Sequence, residues 1–168
     1  MKVRQILWIA LLAGCAGCNK AAPDTSAQDQ SDIQALEDHF VAAVVAKDVT
    51  AIMSVYVPDQ SLTVFDVLPP LEYTGAAAYQ KDWHDTFALF PGTVEASISD
   101  LEITTGGNVA YSHSIQHVSL TDKDGKKLDI TVRVTDGYKK IGGHWLIAHE
   151  HVSVPVDLAT LKPDLNAK

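Results

Sequence analysis

Polar side chains alternate with apolar ones along two predicted strands, and they are the first residues in this sequence that suggest chemistry. Residues two apart on a strand share a face. One such face carries His149, His151 and Ser153, and another carries His113 and His117. Neutral imidazole both donates and accepts hydrogen bonds, so we predict that this group binds a ligand, with His151 also a candidate for catalysis. The alternative is a structural role, in which each histidine bonds to the backbone.

Paired histidines on a strand also suit a metal ion, whose ligands must converge from one side. No third ligand can be placed from the sequence, and we therefore expect no metal and no other cofactor. Simple alternation puts Trp145 and Ile147 on the same face as His149. A slip of one residue in the pairing of the strand would reverse that face.

Two charged residues lie between apolar neighbours. Arg133 lies between Val132 and Val134. We predict that Arg133 points inward, toward a carboxylate or an anionic ligand, because threonines flank it on its own face; the alternative is an ordinary surface arginine. Asp66 follows an apolar run, where desolvation would raise its pKa and make it a candidate base. The alternative for Asp66 is an exposed residue at a strand end.

Three helices are predicted to support these residues. The first begins at a capping box at Ser31 and continues with apolar residues at helical spacing. Asp48 is predicted to cap a second, short helix, and Thr74 a third. In the third helix the aromatic residues recur every four positions, and we expect them to pack against the sheet, with Tyr79 and Trp83 also candidates for a pocket wall.

The hydrophobic period changes to two after Pro91-Gly92, which predicts strands. Four long strands are expected, separated by glycine-rich turns, and a short strand over 62–66 precedes the third helix. Helices followed by an antiparallel meander give an α+β fold.

The start of the chain predicts export. Residues 1–14 have a basic start and a short apolar run, as in a signal peptide. Leu12-Ala13-Gly14-Cys15 resembles the lipobox of bacterial lipoproteins, whereas Cys18 lacks the branched residue upstream. We therefore expect lipidation at Cys15, a flexible tether over 15–30, and a periplasm-facing anchor in the cell envelope, in the outer membrane by the identity of Ala16. The membrane would then be a partner through the lipid.

Composition limits the other partners. The chain has 13 basic and 21 acidic residues, a formal net charge of −8. This balance offers no basic surface for phosphate, so nucleic acid is not expected as a partner. Both cysteines lie at the N-terminus, and the folded domain is therefore expected to have no internal disulfide.

The closing motifs resemble a known superfamily. Arg133-x-Thr135-Asp136, Gly143-x-Trp145-x-Ile147 and His149-x-His151-x-Ser153-x-Pro155, together with the order of elements, are similar to SnoaL-like members of the NTF2-like superfamily. The resemblance covers residues 31–156 and leaves 157–168 as a tail. It implies an α+β cone, in which three N-terminal helices pack on a curved, mainly antiparallel sheet.

The resemblance also implies function. A conical pocket would bind a small, partly apolar molecule, with proton transfer of the isomerase or dehydratase type. The alternative is a non-catalytic dimerisation or assembly module, because the same branch resembles the association domain of calmodulin-dependent kinase II. Either way a homodimer is expected, through the sheet face that the helices leave bare.

Ketosteroid isomerase is another member of the NTF2-like superfamily. It uses an aspartate base, with a tyrosine and a protonated aspartate as hydrogen-bond donors to the oxyanion. Its motifs place the base at Asp66 and the protonated acid at Asp136. The donor tyrosine falls at Phe40, which cannot donate a hydrogen bond. The resemblance therefore implies catalytic roles for Asp66 and Asp136 but not the complete isomerase site.

Substitution of Cys15 tests the predicted anchor. Cells fed a labelled fatty acid should label the wild-type protein and not Cys15→Ser, because the acyl chains attach to that sulfur. Cys18→Ser is the matched control and should stay labelled. Label that survives Cys15→Ser and disappears in Cys18→Ser would assign the anchor to the other cysteine.

Overall fold

The computed structural model describes residues 26–167. The predicted signal peptide, Cys15 and most of the tether lie outside the described residues. None of the helices within 26–167 is long and apolar enough to cross a membrane. The helices are α1 (Ser26–Ala46), α2 (Val49–Met53) and α3 (Ala76–Leu89). The strands are β1 (Thr63–Phe65), β2 (Tyr73–Thr74), β3 (Val94–Gly106), β4 (Val109–Thr121), β5 (Lys127–Ile141), β6 (His144–Ser153), β7 (Val156–Asp157) and β8 (Lys162–Pro163).

One curved sheet organises the domain. Its strand order is β2-β1-β6-β5-β4-β3, and every neighbouring pair is antiparallel except β1 and β6. Alternation along the long strands buries one face against the helices, and α1 packs mainly on β3. The predicted α+β cone, with a mainly antiparallel sheet, is confirmed.

The pairing of β5 and β6 contains an irregularity that decides which side chains face inward. Gly137 lies opposite His149, whereas the next residue, Tyr138, lies opposite Ile147. Ala148 is therefore an extra residue on β6, a β-bulge.

The bulge exchanges the two faces of β6. Before it, Trp145 and Ile147 are buried in the core. After it, Glu150 is the buried residue, whereas His149 is half-buried and His151 is exposed. The expectation that His149 shares a face with Trp145 is wrong, because one extra residue shifts the alternation.

Two predicted helix starts are also wrong. Ser31 lies inside the first helix, which is already helical at Ser26, so residues 26–30 of the predicted tether are helical. The third helix follows Gly75, whose φ of 86° favours glycine, and no side chain caps it; Thr74 is the last residue of β2. The predicted cap of α2 is confirmed, since Asp48 accepts a hydrogen bond from the Ala51 N–H at 3.0 Å.

A buried acid anchors the part of α1 that precedes Ser31. Asp29, 2% exposed, accepts hydrogen bonds from Lys140 Nζ at 2.5 Å and from Trp145 Nε1 at 3.2 Å. These contacts hold the first turns of α1 against the hairpin of β5 and β6. They join residues more than 100 positions apart, so local helix signals could not reveal them.

The predicted C-terminal tail, residues 157–168, contains regular secondary structure. β7 and β8 form a small hairpin, and the Thr131 N–H donates to the Leu165 carbonyl at 2.7 Å. The paired residues of β6 end opposite Arg133, so the tail continues the hydrogen bonding of β5 beyond that point.

Removal of the Asp29 carboxylate should destabilise the domain. Asp29→Ala leaves the Trp145 N–H buried without its acceptor and Lys140 without its partner, and we expect a loss of about 2–3 kcal/mol in the free energy of unfolding. Urea denaturation measures it. Asp32→Ala, an exposed acid on the same helix, is the control and should change stability by less than about 0.5 kcal/mol. Equal small effects in both variants would show that the buried pair does not stabilise α1.

Candidate functional site

A cavity of about 150 Å³ lies between the helices and the inner face of the sheet. The sheet supplies an apolar wall of Val118, Leu120, Leu128, Ile130, Val132 and Val134. Phe40 and Val44 of α1 and Trp83 of α3 form the opposite side. The polar groups are Asp66, Tyr79, Asp82, Thr86, Gln116 and Glu150. An apolar cavity with a few polar groups is typical of a small-molecule site.

Glu150 is the most buried acid of this cavity, at 4% exposure. Tyr56 donates a hydrogen bond to its Oε2 and Tyr79 to its Oε1, each at 2.7 Å. Burial raises the pKa of Glu150 to about 7, against the lowering effect of the two tyrosine hydroxyls. Burial, with the negative charge of Glu150, also raises the pKa of both tyrosines, so they remain phenols and act as donors.

Asp66 is the second acid in the cavity wall. It lies in the loop after β1, where its Oδ1 accepts the backbone N–H of Val67 at 2.5 Å and of Leu68 at 3.4 Å. Burial raises the pKa of Asp66 more than these backbone bonds lower it, and the negative charge of Asp82 adds to the rise. The sequence prediction of a desolvated aspartate at this position agrees with this geometry.

Two further acids lie in the interior without lining the cavity. Asp136, 2% exposed, lies opposite Glu150 in the pairing of β5 and β6. Burial, together with the charges of Glu150 and Glu37, raises the pKa of Asp136 well above its usual range. The Tyr138 hydroxyl donates to Glu37 Oε1 at 2.6 Å and lies 2.8 Å from Ser112 Oγ. Burial raises the pKa of Glu37 as well.

Trp83 contributes an unused donor. Its ring packs edge-on against Phe40 at 6.0 Å and Tyr79 at 5.9 Å between centroids, and it contacts Phe87 at 5.5 Å. Its Nε1 is buried and has no hydrogen-bond partner within residues 26–167. The predicted aromatic ladder of α3 therefore packs as expected and also forms a wall of the cavity.

The structure separates the predicted site residues into two groups. Asp66, Tyr79 and Trp83 line the cavity. Arg133 is exposed on the outer face, and the prediction that it points inward is wrong. The inner face of β5 is occupied by Val132 and Val134, and strict alternation turns the residue between them outward.

The histidines also lie outside the cavity. His149 Nδ1 bonds to the Thr63 carbonyl at 2.9 Å, and the His151 ring lies 5.8 Å from that of Phe65. Ser153 pairs with Arg133 in the register of β5 and β6 and shares the outer face of the histidines. The structure therefore supports the structural alternative for His149, and the bulge explains why a face prediction failed for all three residues of β6.

His113 and His117 are both exposed on β4. His113 Nε2 lies 3.5 Å from Glu102, and His117 Nδ1 lies 3.4 Å from the Thr131 hydroxyl. Within the described chain, no group of three or more His, Cys, Asp or Glu is arranged to hold a metal ion.

Sequence reasoning missed the central acid. Glu150 lies between two histidines in His149-Glu150-His151, and alternation alone put the histidines inside. A possible signal was its place on β6, a strand that also carries the buried Trp145 and Ile147. Only the position of the bulge converts that context into a prediction.

Burial of Glu150 predicts a pH-dependent stability. A carboxyl that ionises at about 7 when folded, against an ordinary value of 4.5, contributes most to stability at low pH, and the contribution is lost as pH rises from about 4.5 to 7. Relative to wild type, Glu150→Gln should therefore become more stable over that interval, by about 3 kcal/mol in total. Urea unfolding at steps between pH 4.5 and 8 measures the difference. Glu72→Gln, at an exposed position, should give a constant offset; a constant offset for Glu150→Gln would contradict the buried titration.

Comparison with known proteins agrees with this architecture. An NTF2-like protein of unknown function from Pseudomonas putida KT2440 is 27% identical, with a TM-score of 0.76 over 85% of this chain and 98% of the other. A protein from Novosphingobium aromaticivorans DSM 12444, proposed to be a scytalone dehydratase, is 14% identical, with a TM-score of 0.69 over 77% of this chain and 86% of its own.

A third similar structure comes from Xanthomonas campestris and is proposed to be a calcium/calmodulin-dependent protein kinase II association domain. It is 23% identical, with a TM-score of 0.62 over 72% of this chain and 84% of the other. No curated protein matches the chain significantly. The model of the SnoaL-like domain matches residues 33–157. The chain therefore belongs to the SnoaL-like domain family and has the NTF2-like fold.

Proposed function

We propose that this protein binds a small, partly apolar molecule in the cavity and catalyses a proton transfer of the isomerase or dehydratase type. The observation that carries the proposal is Glu150, a carboxyl with a pKa of about 7 in the wall of an apolar cavity. A group that titrates near the working pH is available both as the acid and as the base. Strongly shifted acids in a cavity are candidates for catalysis, and Asp66 supplies a second one.

The two acids allow a balanced reaction. In an isomerisation, the ionised Glu150 takes a proton from a carbon of the ligand and returns it at another carbon, so that no proton is gained or lost. In a dehydration, one carboxylate takes the proton from carbon while the other, protonated, gives a proton to the departing hydroxyl, which leaves as water. Tyr56 and Tyr79 stabilise the ionised form of Glu150 and fix its orientation through their hydroxyls.

Phe40 separates this arrangement from ketosteroid isomerase. It lines the cavity at the position where the resemblance implies a donor tyrosine. Asp136, the counterpart of the protonated acid, is buried and has a raised pKa, but it does not line the cavity. The proposed chemistry therefore relies on Glu150 and Asp66, with a different donor to the ligand.

The place of action is part of the proposal. Lipidation at Cys15 would hold the domain at the cell envelope, and the few residues between Cys15 and Ser26 would keep it close to the membrane surface. A small apolar molecule partitions toward such a surface. The resemblance to a protein proposed to be a dehydratase agrees with the chemistry but, at 14% identity, supports the fold alone.

An assembly module is the second candidate function. The outer face of the sheet exposes Val109, Tyr111 and Phe65, at 59%, 51% and 36%. Exposed apolar side chains on a bare sheet face favour association, and they support the expected homodimer. In this alternative the acids of the cavity would have no chemical task.

Exchange of carbon-bound hydrogen tests the proposal without knowledge of the natural substrate. Purified protein is incubated in D₂O with small cyclic and aryl ketones, and deuterium next to the carbonyl is followed by NMR. We expect the wild type to accelerate exchange for at least one ketone. Glu150→Gln should reduce that rate by about 100-fold or more, the usual contribution of a general base, and Asp66→Asn should reduce it less.

Glu95→Gln, an exposed glutamate on the outer edge of the sheet, is the control and should leave exchange unchanged. The contradictory outcome is a wild type that accelerates exchange of no ketone. In that case a monomer by light scattering would also exclude the assembly function, whereas a dimer would leave it standing.

A further inference from the structure

Trp83 lines the cavity and carries a buried polar atom that the proposed proton transfer does not use. Nε1 is buried and lacks a partner among the described residues, although the ring lines the cavity. A buried donor without an acceptor is unfavourable, and native structures rarely keep one without a functional reason. The ring itself cannot turn freely, because Phe40, Tyr79 and Phe87 contact it from three directions.

The charges around the cavity limit what can satisfy this donor. The acids Asp66, Asp82 and Glu150 lie in the wall, and no Lys, Arg or His within residues 26–167 lines it. An anionic ligand would meet like charges and find no counter-ion. A cationic ligand could pair with an ionised acid of the wall, but it offers no lone pair to the N–H donor and would leave that donor unsatisfied.

We propose that Trp83 is a specificity-determining residue whose indole N–H donates to an oxygen of an uncharged ligand. The proposal rests on the proposed binding of a small molecule in this cavity and specifies its chemical class: an apolar body with a neutral oxygen acceptor. Anions and cations of the same size are excluded.

The position of Trp83 connects this donor to the proposed acid–base group. Tyr79 precedes it by one turn of α3, contacts its ring and donates to Glu150. Trp83 therefore contacts the residue that holds Glu150 in the cavity wall. A hydrogen-bond donor near the base can stabilise the negative charge that develops on a ligand oxygen during proton removal.

Four probes of one size test the proposal by calorimetric titration. They are acetophenone, with a neutral oxygen; ethylbenzene, with no polar group; benzoate, an anion; and benzylamine, a cation. We expect acetophenone to bind about tenfold more tightly than ethylbenzene, a difference of about 1.4 kcal/mol, and the two ions to bind more weakly than either.

Trp83→Phe removes the N–H and keeps an aromatic ring. It should abolish the advantage of acetophenone over ethylbenzene while both still bind. Trp145→Phe is the matched control. In the wild type the Trp145 indole N–H donates to Asp29, and Trp145 is not among the residues that line the cavity. That variant should lose stability and retain the tenfold preference.

A spectroscopic measurement on the wild type keeps the test valid even if Trp83→Phe unfolds. The indole N–H signal of Trp83, assigned by its absence in the variant or by selective labelling, should move downfield with acetophenone and not with ethylbenzene. Equal binding of acetophenone and ethylbenzene, with no such shift, overturns the role of Trp83 while the binding function stands. Tighter binding of benzoate or benzylamine overturns the neutral class. Binding of none of the four overturns both the inference and the proposed binding function.

Discussion

The structure depends on a carboxyl group that is held in the interior by two hydroxyls. Placing Glu150 in the core is costly unless its oxygens are satisfied, and Tyr56 and Tyr79 satisfy one oxygen each. Tyr56 follows α2 and also pairs with β6 through Ile147, whereas Tyr79 belongs to α3. One side chain of the sheet therefore fixes two helical segments, and it determines where the cavity remains open.

The bulge at Ala148 makes that arrangement possible, and it also sets the limit of prediction from sequence. The four long strands, the aromatic ladder of α3 and the cap at Asp48 follow from local patterns, and all three predictions are confirmed. A bulge adds one residue without changing the composition of a strand, so alternation gives the correct face before it and the opposite face after it. Because of this extra residue, Glu150 faces inward at the point of β6 where alternation predicted the histidines.

Contacts distant in sequence account for the remaining differences. Asp29 accepts hydrogen bonds from Lys140 and Trp145, which are more than 100 positions away, so local signals could not predict the helical residues before Ser31. Arg133 was predicted inward because threonines on its face suggested a polar wall, yet the cavity wall on β5 is built from valines. Asp66 could be identified because its signal is local: an acid at the end of an apolar strand, followed by backbone N–H groups that its own side chain accepts.

The acids of the interior act on one another, and this explains how an apolar cavity holds a group that titrates near neutrality. Burial and the charges of Asp66 and Glu37 raise the pKa of Glu150, whereas the two tyrosine hydroxyls lower it. The raising and lowering effects together leave Glu150 close to an equal mixture of its protonated and ionised forms near neutral pH. A fully apolar site would favour the protonated form, and a fully solvated site would favour the ionised form. Asp136 lies opposite Glu150, and burial together with the charges of Glu150 and Glu37 raises the pKa of Asp136 as well. An interior that only needed to pack would be better filled by apolar residues of the same volume, because buried ionisable groups seldom add net stability. The cost of burying these acids within one small domain therefore supports the proposed proton transfer at the cavity.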